Sequence, residues 1–249
     1  MQLDTLHDQI KNAISLVVSD KKIGVAFSGG VDSTLIAVLC NKMNYDITLL
    51  TIGFENSHDI NFAKQVNEFL KMPHKILEIN PKEFDSISKK IRTTINTDNL
   101  SWNENSIAFY HVAKLAYSLG LDTIVTANGI DELFCGYNVY RDTIKRGNDA
   151  VMDLMSAKLD NEVKMMKAIN GVCSEFGVKI VQPLLSEEFI KFAKTIPIDQ
   201  KITDENDLQR KHIIRKLALQ VGVPELSANA RKKALQYGSL IHKALLKSR

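Results

Sequence analysis

The sequence predicts an α/β fold: an open parallel sheet with helices on both faces, followed by a mostly helical C-terminal half. Three observations predict it. Short apolar runs alternate with helix-length segments through the first 140 or so residues, and strands that alternate with helices make parallel sheets. The first such run, Ile23-Gly24-Val25-Ala26-Phe27, is continuously apolar, as a strand buried on both faces must be. Beyond about residue 140 strand signals thin out, and stretches 142–175 and 187–222 carry few of them.

Taken in order, residues 6–18 place apolar side chains at helical spacing and read as an opening helix. The strand at 23–27 is followed by a small, glycine-containing turn at 28–33 and an apolar helix at 34–41. A second strand spans 46–54 and ends in Gly53-Phe54; a helix at 59–70 and a third strand at 75–79 follow. Residues 107–119 form a helix that Gly120 closes. The fourth strand, 121–127, runs straight into Asn128-Gly129-Ile130-Asp131-Glu132. The expected division is an α/β core over residues 1–141 and a helical part over residues 142–249 that packs on the core and completes the site. The polar patch around Gly147 marks the join.

Composition removes several classes. With 45% hydrophobic and 24% charged residues the chain is an ordinary globular one, neither disordered nor fibrous. A net charge of +3 is not concentrated into the basic stripe of a nucleic-acid-binding domain, so nucleic acid is disfavoured as a partner. The nearest thing to a stripe is the tail, with Arg231, Lys232, Lys233, Lys243, Lys247 and Arg249. It reads as a solvated helix end plus one or two active-site cations. Cys40, Cys135 and Cys173 are far apart and form no CxxC pair, so neither a zinc site nor a disulfide framework is expected. Each reads as a small buried hydrophobe. The N-terminal residues carry no long apolar stretch; the expectation is a cytoplasmic protein without membrane association.

The most informative string is Ser28-Gly29-Gly30-Val31-Asp32-Ser33-Thr34, set between a strand and a helix. A helix start offers unpaired N–H groups and a positive dipole end, which suit phosphate. Gly29 and Gly30 allow close backbone approach, and Ser28, Ser33 and Thr34 add hydroxyl donors. Asp32 would repel phosphates by itself; it makes sense as a ligand of Mg²⁺ that also holds them. No Gly-Lys-Ser/Thr follows, so this is not a Walker loop.

This string resembles the pyrophosphatase loop of the N-type ATP pyrophosphatases, which cleave ATP between the α- and β-phosphates. The resemblance implies an adenine nucleotide alpha hydrolase-like fold. Three further segments are similar to the asparagine synthetase branch. In Thr51-Ile52-Gly53-Phe54-Glu55, followed by Asp59 and Ala63-Lys64-Gln65-Val66, the resemblance places Ile52 and Gly53 near the adenine. Gly129-Ile130-Asp131-Glu132-Leu133-Phe134-Cys135-Gly136-Tyr137 resembles that branch's Gly-x-Asp-Glu-Leu-Phe-x-Gly-Tyr string. It implies Gly129 at the nucleotide and Asp131 as a second magnesium carboxylate facing Asp32. Lys232-Lys233-Ala234-Leu235-Gln236-Tyr237-Gly238-Ser239 resembles the segment that supplies an active-site lysine; Lys232 aligns best and Lys233 is the alternative. Weaker echoes are Gln182-Pro183-Leu184-Leu185 and the Lys211 to Arg215 stretch, similar to the family's Lys-x-x-Leu-Arg.

The resemblance implies an ATP-dependent carbon–nitrogen ligase using ATP and Mg²⁺. It would adenylate a small-molecule carboxylate, aspartate by precedent, release pyrophosphate and pass the acyl group to ammonia or another amine. Two departures bear on this. The family's glutaminase part has no counterpart in the sequence, so the expectation is free ammonia, a separate glutaminase partner, or another amine; a homo-oligomer is compatible with either. Where the family carries Gly-Glu-Gly ahead of the Asp-Glu, this chain has Ala127-Asn128-Gly129. Asn128 stands where the resemblance puts an acid–base catalyst, and an amide cannot take a proton. A glutamate restored there would speed the second half-reaction if the base were simply lost, and hinder it if the enzyme had evolved another acceptor. Two other readings remain at this stage: a sulfur-transfer (tRNA-thiolating) enzyme using Cys135, or an ATP-binding protein without turnover.

Overall fold

The computed structural model describes residues 2–231 and 233–247. Helix α1 (Gln2–Val17) leads into β1 (Lys22–Ala26), α2 (Val31–Lys42), β2 (Asp46–Gly53), α3 (His58–Leu70) and β3 (His74–Glu78). Two helices in succession, α4 (Pro81–Ile95) and α5 (Leu100–Ser118), precede β4 (Thr123–Val125). Short helices α6 (Ile130–Leu133) and α7 (Val139–Thr143) then lead to the long α8 (Asn148–Cys173) and to β5 (Lys179–Val181). Helices α9 (Glu187–Thr195), α10 (His212–Gln220), α11 (Glu225–Ala228), α12 (Leu235–Gly238) and α13 (Ile241–Lys247) complete the described chain.

All strand pairs are parallel, in the order β3-β2-β1-β4-β5. This is the α/β sheet the sequence predicts, with one strand more than its patterning shows. β5 has three residues, too few to stand out as an apolar run; it pairs Thr123 with Lys179 and Val125 with Val181. The fourth strand is also shorter than the apolar stretch suggests. Its last ladder bond is Thr126 N–H to Val181 O at 3.1 Å, after which the chain turns away at Asn128. Helix α4 carries signals that the strand-and-helix reading passes over: Pro81 at its first turn and the Asn80 side chain accepting from Lys82 N–H at 3.0 Å.

Successive strand residues point to opposite faces, and β2 shows the consequence. Ile47 and Leu49 enter a core shared with α1, α2 and α10, whereas Leu50 and Ile52 enter a second core shared with α5 and α8. Helix α2 is buried on every side from Ser33 to Cys40, as expected of a helix without a polar face. Leu35, Ile36 and Leu39 are fully buried, each contributing roughly 1.5–3 kcal/mol of transfer free energy. That rigid packing fixes the start of α2, where the glycine-rich loop lies. In this strand order the chain reverses direction of build-up between β1 and β4, which is where open α/β sheets place a ligand.

Candidate functional site

A cleft of about 570 Å³ opens at that switch point. Ser28, Gly30, Asp32 and Ser33 from the β1–α2 loop line it, with Asn128 and Asp131 from beyond β4. Gly30 caps α2 and no side chain caps the first turn, so the N–H groups there remain available to an anion. The serines form a local net: Ser28 and Ser33 Oγ lie 3.4 Å apart, and Ser33 Oγ donates to Gly30 O at 3.2 Å. Gly29 has φ +77°, and a Cβ there would sit 3.2 Å from the Ala63 backbone. Gly29 and Thr34 do not line the cleft. Thr34 is turned inward and fully buried, with its Oγ1 2.9 Å from Ser227 Oγ, which is also 2.7 Å from Gly29 O. These two expected phosphate contacts brace the loop from behind instead of facing a ligand.

Asp32 and Asp131 come together as the sequence predicts, but a lysine joins them. Lys211 Nζ is 2.5 Å from Asp32 Oδ2 and 2.5 Å from Asp131 Oδ1. Its side chain is only 2% exposed. Lys211 and Arg210 both adopt left-handed backbone, with φ +53° and +51°, a strain of roughly 1–3 kcal/mol each that surrounding contacts must hold. Asp207 supplies those contacts. Its Oδ1 accepts from Arg210 N–H at 2.8 Å and Gln209 N–H at 2.9 Å, and its Oδ2 from Thr203 N–H at 3.1 Å. Burial would raise the Asp207 pKa, but these bonds and His212 outweigh it and hold the carboxyl below its usual range. The Arg210 guanidinium in turn donates to Gly136 O at 3.3 Å.

Gly136 makes room for this arrangement. A Cβ on it would fall 1.8 Å from Asp131 Oδ1 and 2.4 Å from Lys211 Cε. Gly136→Ala therefore should lower stability by about 1–3 kcal/mol through overpacking and weaken magnesium-dependent nucleotide binding. Gly171→Ala, on a helix with open space around it, should be neutral or stabilising. Equal melting temperatures for the two variants would contradict the packing argument.

The two carboxylates suit magnesium. Both offer hard oxygen donors, and Asp32 Oδ1 is buried without a hydrogen-bond partner. Among the described residues no group of three or more His, Cys, Asp or Glu could hold a metal by itself. A Mg²⁺ ion at a phosphate site takes one or two carboxylates plus phosphate oxygens.

On the β4 side, Gly129 does not line the cleft. It turns the chain at φ +105°, and a Cβ would meet Leu184 O at 3.0 Å. Its N–H donates to Glu132 Oε2 at 3.2 Å, and Tyr137 OH donates to Glu132 Oε1. Burial, then the Glu132 charge, pushes the Tyr137 hydroxyl pKa up. Asn128 does face the cleft, and its Nδ2 donates to Glu162 Oε1 at 2.6 Å.

On the β2 side, Ile52 lines the apolar wall with Ala26, Phe27 and Leu50. Gly53 does not line it; a Cβ there would meet Ser57 Oγ at 2.3 Å. Asp59 at the start of α3 lies under Gly238, whose added Cβ would be 1.9 Å from Asp59 Oδ1. Burial raises the Asp59 pKa from 3.8 to about 7, with Lys233 pulling the other way. The neutral form is favoured in the folded state, so this group's contribution is complete below about pH 4 and is lost as pH rises towards about 7. Urea unfolding should show Asp59→Asn gaining on the parent protein across that window, by on the order of a few kcal/mol. A difference independent of pH would refute the assignment.

Lys232, expected as the catalytic lysine, lies outside the described residues. Lys233 is exposed and lines the cleft together with Arg231, Ala234 and Leu235. Sequence reasoning saw Lys211 only as a faint echo and missed Glu162, Lys158 and Asn161, all from α8. Their spacing put them on one helical face, yet polar residues on a helix usually mark only the solvated side.

The sequence profile of the family described as asparagine synthase matches residues 5–175. A protein of Methanocaldococcus jannaschii whose name assigns it as a glutamine-hydrolyzing asparagine synthetase is 28% identical over 252 residues, covering 88% of this chain and 46% of that protein. An asparagine synthetase domain-containing protein of Drosophila melanogaster is 25% identical, covering 88% and 45%. The chain thus spans about half the length of the curated relatives it matches. Among solved structures, NMN synthetase from Francisella tularensis gives a TM-score of 0.49 at 15% identity, over 95% of this chain and 76% of that one. No helix among the described residues is long and apolar enough to cross a membrane.

Proposed function

Given that the chain belongs to the asparagine synthase family, we propose that it is an ATP-dependent carbon–nitrogen ligase that adenylates a carboxylate and passes the acyl group to ammonia or another amine. Aspartate is the first candidate acid. The observation that carries this reading is the Asp32–Lys211–Asp131 group, set beside the open start of α2 at the sheet's switch point.

In the first step a carboxylate oxygen of the substrate attacks the α-phosphorus of ATP, and the bond to the β-phosphate oxygen breaks. The leaving pyrophosphate gains negative charge. The N–H groups at the start of α2, the Ser28 hydroxyl and the Lys211 ammonium are donors suited to that charge. Mg²⁺ held by Asp32 and Asp131 would supply charge neutralisation at the phosphates. In the second step the nitrogen attacks the acyl carbon, AMP departs, and one proton leaves the nitrogen. The apolar wall of Phe27, Leu50 and Ile52 suits an adenine ring. Ammonia would arrive free or from a separate glutaminase.

Pyrophosphate exchange tests the reading. Labelled pyrophosphate should enter ATP only when a suitable acid is present, with L-aspartate tried first in a panel of amino and keto acids. Exchange with none of them would sink it. Sulfur transfer through Cys135 has less support. Cys135 is fully buried, and burial pushes its thiol up to about 12 despite the nearby charges of Lys201 and Arg210. A thiol so placed is neither ionised nor accessible.

A further inference from the structure

We infer that Glu162 on α8 is the general base of the acyl-transfer step, doing from across the cleft what Asn128 cannot. The inference rests on the ligase reading above. Four residues of α8, Lys158, Asn161, Glu162 and Met165, line the cleft at helical spacing. Glu162 is only 4% exposed, and a carboxylate is costly to bury unless something requires it. Its Oε1 accepts from Asn128 Nδ2 at 2.6 Å. The asparagine amide therefore orients the Glu162 carboxylate beside the turn that follows β4.

The other acids of the cleft have different tasks. Asp32 and Asp131 share the Lys211 ammonium. Glu132 accepts from Gly129 N–H and Tyr137 OH, which pins it to the turn after β4. Asp59 lies at the far side of β1, on the helix that follows β2. Glu162 is the acid that meets the β4 turn from outside it. A glutamate at position 128 would extend one methylene beyond Asn128, into the region the Glu162 carboxyl reaches. The negative charge is relocated from strand turn to helix, and the amide left behind holds it. As the nitrogen attacks the acyl carbon, the C–N bond forms, the C–O bond to AMP breaks, and the proton of the attacking nitrogen passes to a Glu162 carboxylate oxygen.

The experiment compares Glu162→Gln, Glu162→Asp and Asn128→Glu/Glu162→Gln with the parent protein. The substrates are ATP, L-aspartate and ammonia, read as pyrophosphate exchange and as amide formed. In Glu162→Gln the ratio of amide formed to pyrophosphate exchanged should fall about 100-fold or more, and the rise of amide formation with pH that reports the base should disappear. Glu162→Asp should keep that rise in weakened form. The double variant, which returns the carboxylate to position 128, should recover at least about tenfold of the loss. An unchanged pH profile in Glu162→Gln, or exchange and amide formation falling in the same proportion, would assign Glu162 to substrate holding and overturn the proposal. So would a double variant with no recovery. A parent protein that exchanges pyrophosphate but forms no amide overturns this inference alone, whereas one that exchanges with no acid overturns the ligase reading and this inference with it.

Discussion

Lys211→Met should lower pyrophosphate exchange about 100- to 1000-fold, the size of effect seen when one fixed donor to a developing negative charge is removed. The same change should destabilise the free protein by roughly 3–5 kcal/mol, because it breaks a buried ion pair on one side only. Lys211 is 2% exposed, while Asp32 and Asp131 are 21% and 16% exposed, so water can relieve little of the repulsion left between the two carboxylates. A divalent cation can. Mg²⁺ without nucleotide should therefore raise the melting temperature of Lys211→Met more than that of the parent protein. Lys211 in this view is an internal counterion that holds both carboxylates together until magnesium and phosphate share them. A variant with normal stability, no added response to Mg²⁺ and normal exchange would leave Lys211 without a role in the site.

What could be read from the sequence follows from what is local. The β1–α2 loop was legible because strand, glycines, serines and helix are consecutive, and so was the Asp131 string that ends β4. Two of the loop residues, Gly29 and Thr34, lie behind the cleft wall and not on it. Nothing in the letters distinguishes Ser33, which faces the cleft, from Thr34, which faces Ser227 some 193 positions away. Lys211 and Glu162 were hard to see for the same reason. Each reaches the site from a distant segment, and its partner is fixed by tertiary packing that periodicity cannot report. The left-handed backbone at Arg210 and Lys211 has no glycine to announce it, since Asp207 and the Arg210 side chain hold it from outside. β5 was missed because its pairing with β4, and not its own three residues, makes it a strand. The sequence read alone also left Asn128 open between a simply lost base and a different nucleophile, base or substrate. The Asn128–Glu162 bond is the observation from which a replacement base is proposed.

Asn128→Glu, made alone, should therefore impair amide formation by about 100-fold, not rescue it. The new carboxylate would lie against Glu162 Oε1, which now accepts from the Asn128 amide at 2.6 Å. Two carboxylates that close cannot both ionise; they share a proton, and the pair titrates with one value raised. The site would lose an oriented base and gain a pair that holds a proton to higher pH than a single carboxylate does. Amide formation should recover as pH is raised, because deprotonating the pair restores an acceptor, and its pH profile should shift to higher pH than in the parent protein. In the proposed mechanism adenylation uses the β1–α2 loop with Asp32, Lys211 and Asp131, so pyrophosphate exchange should fall much less. Single-turnover kinetics with ammonia across the pH range separates the two half-reactions. If Asn128→Glu instead speeds amide formation at neutral pH with Glu162 in place, position 128 had lost its base without replacement, and the carboxylate on α8 serves some other purpose.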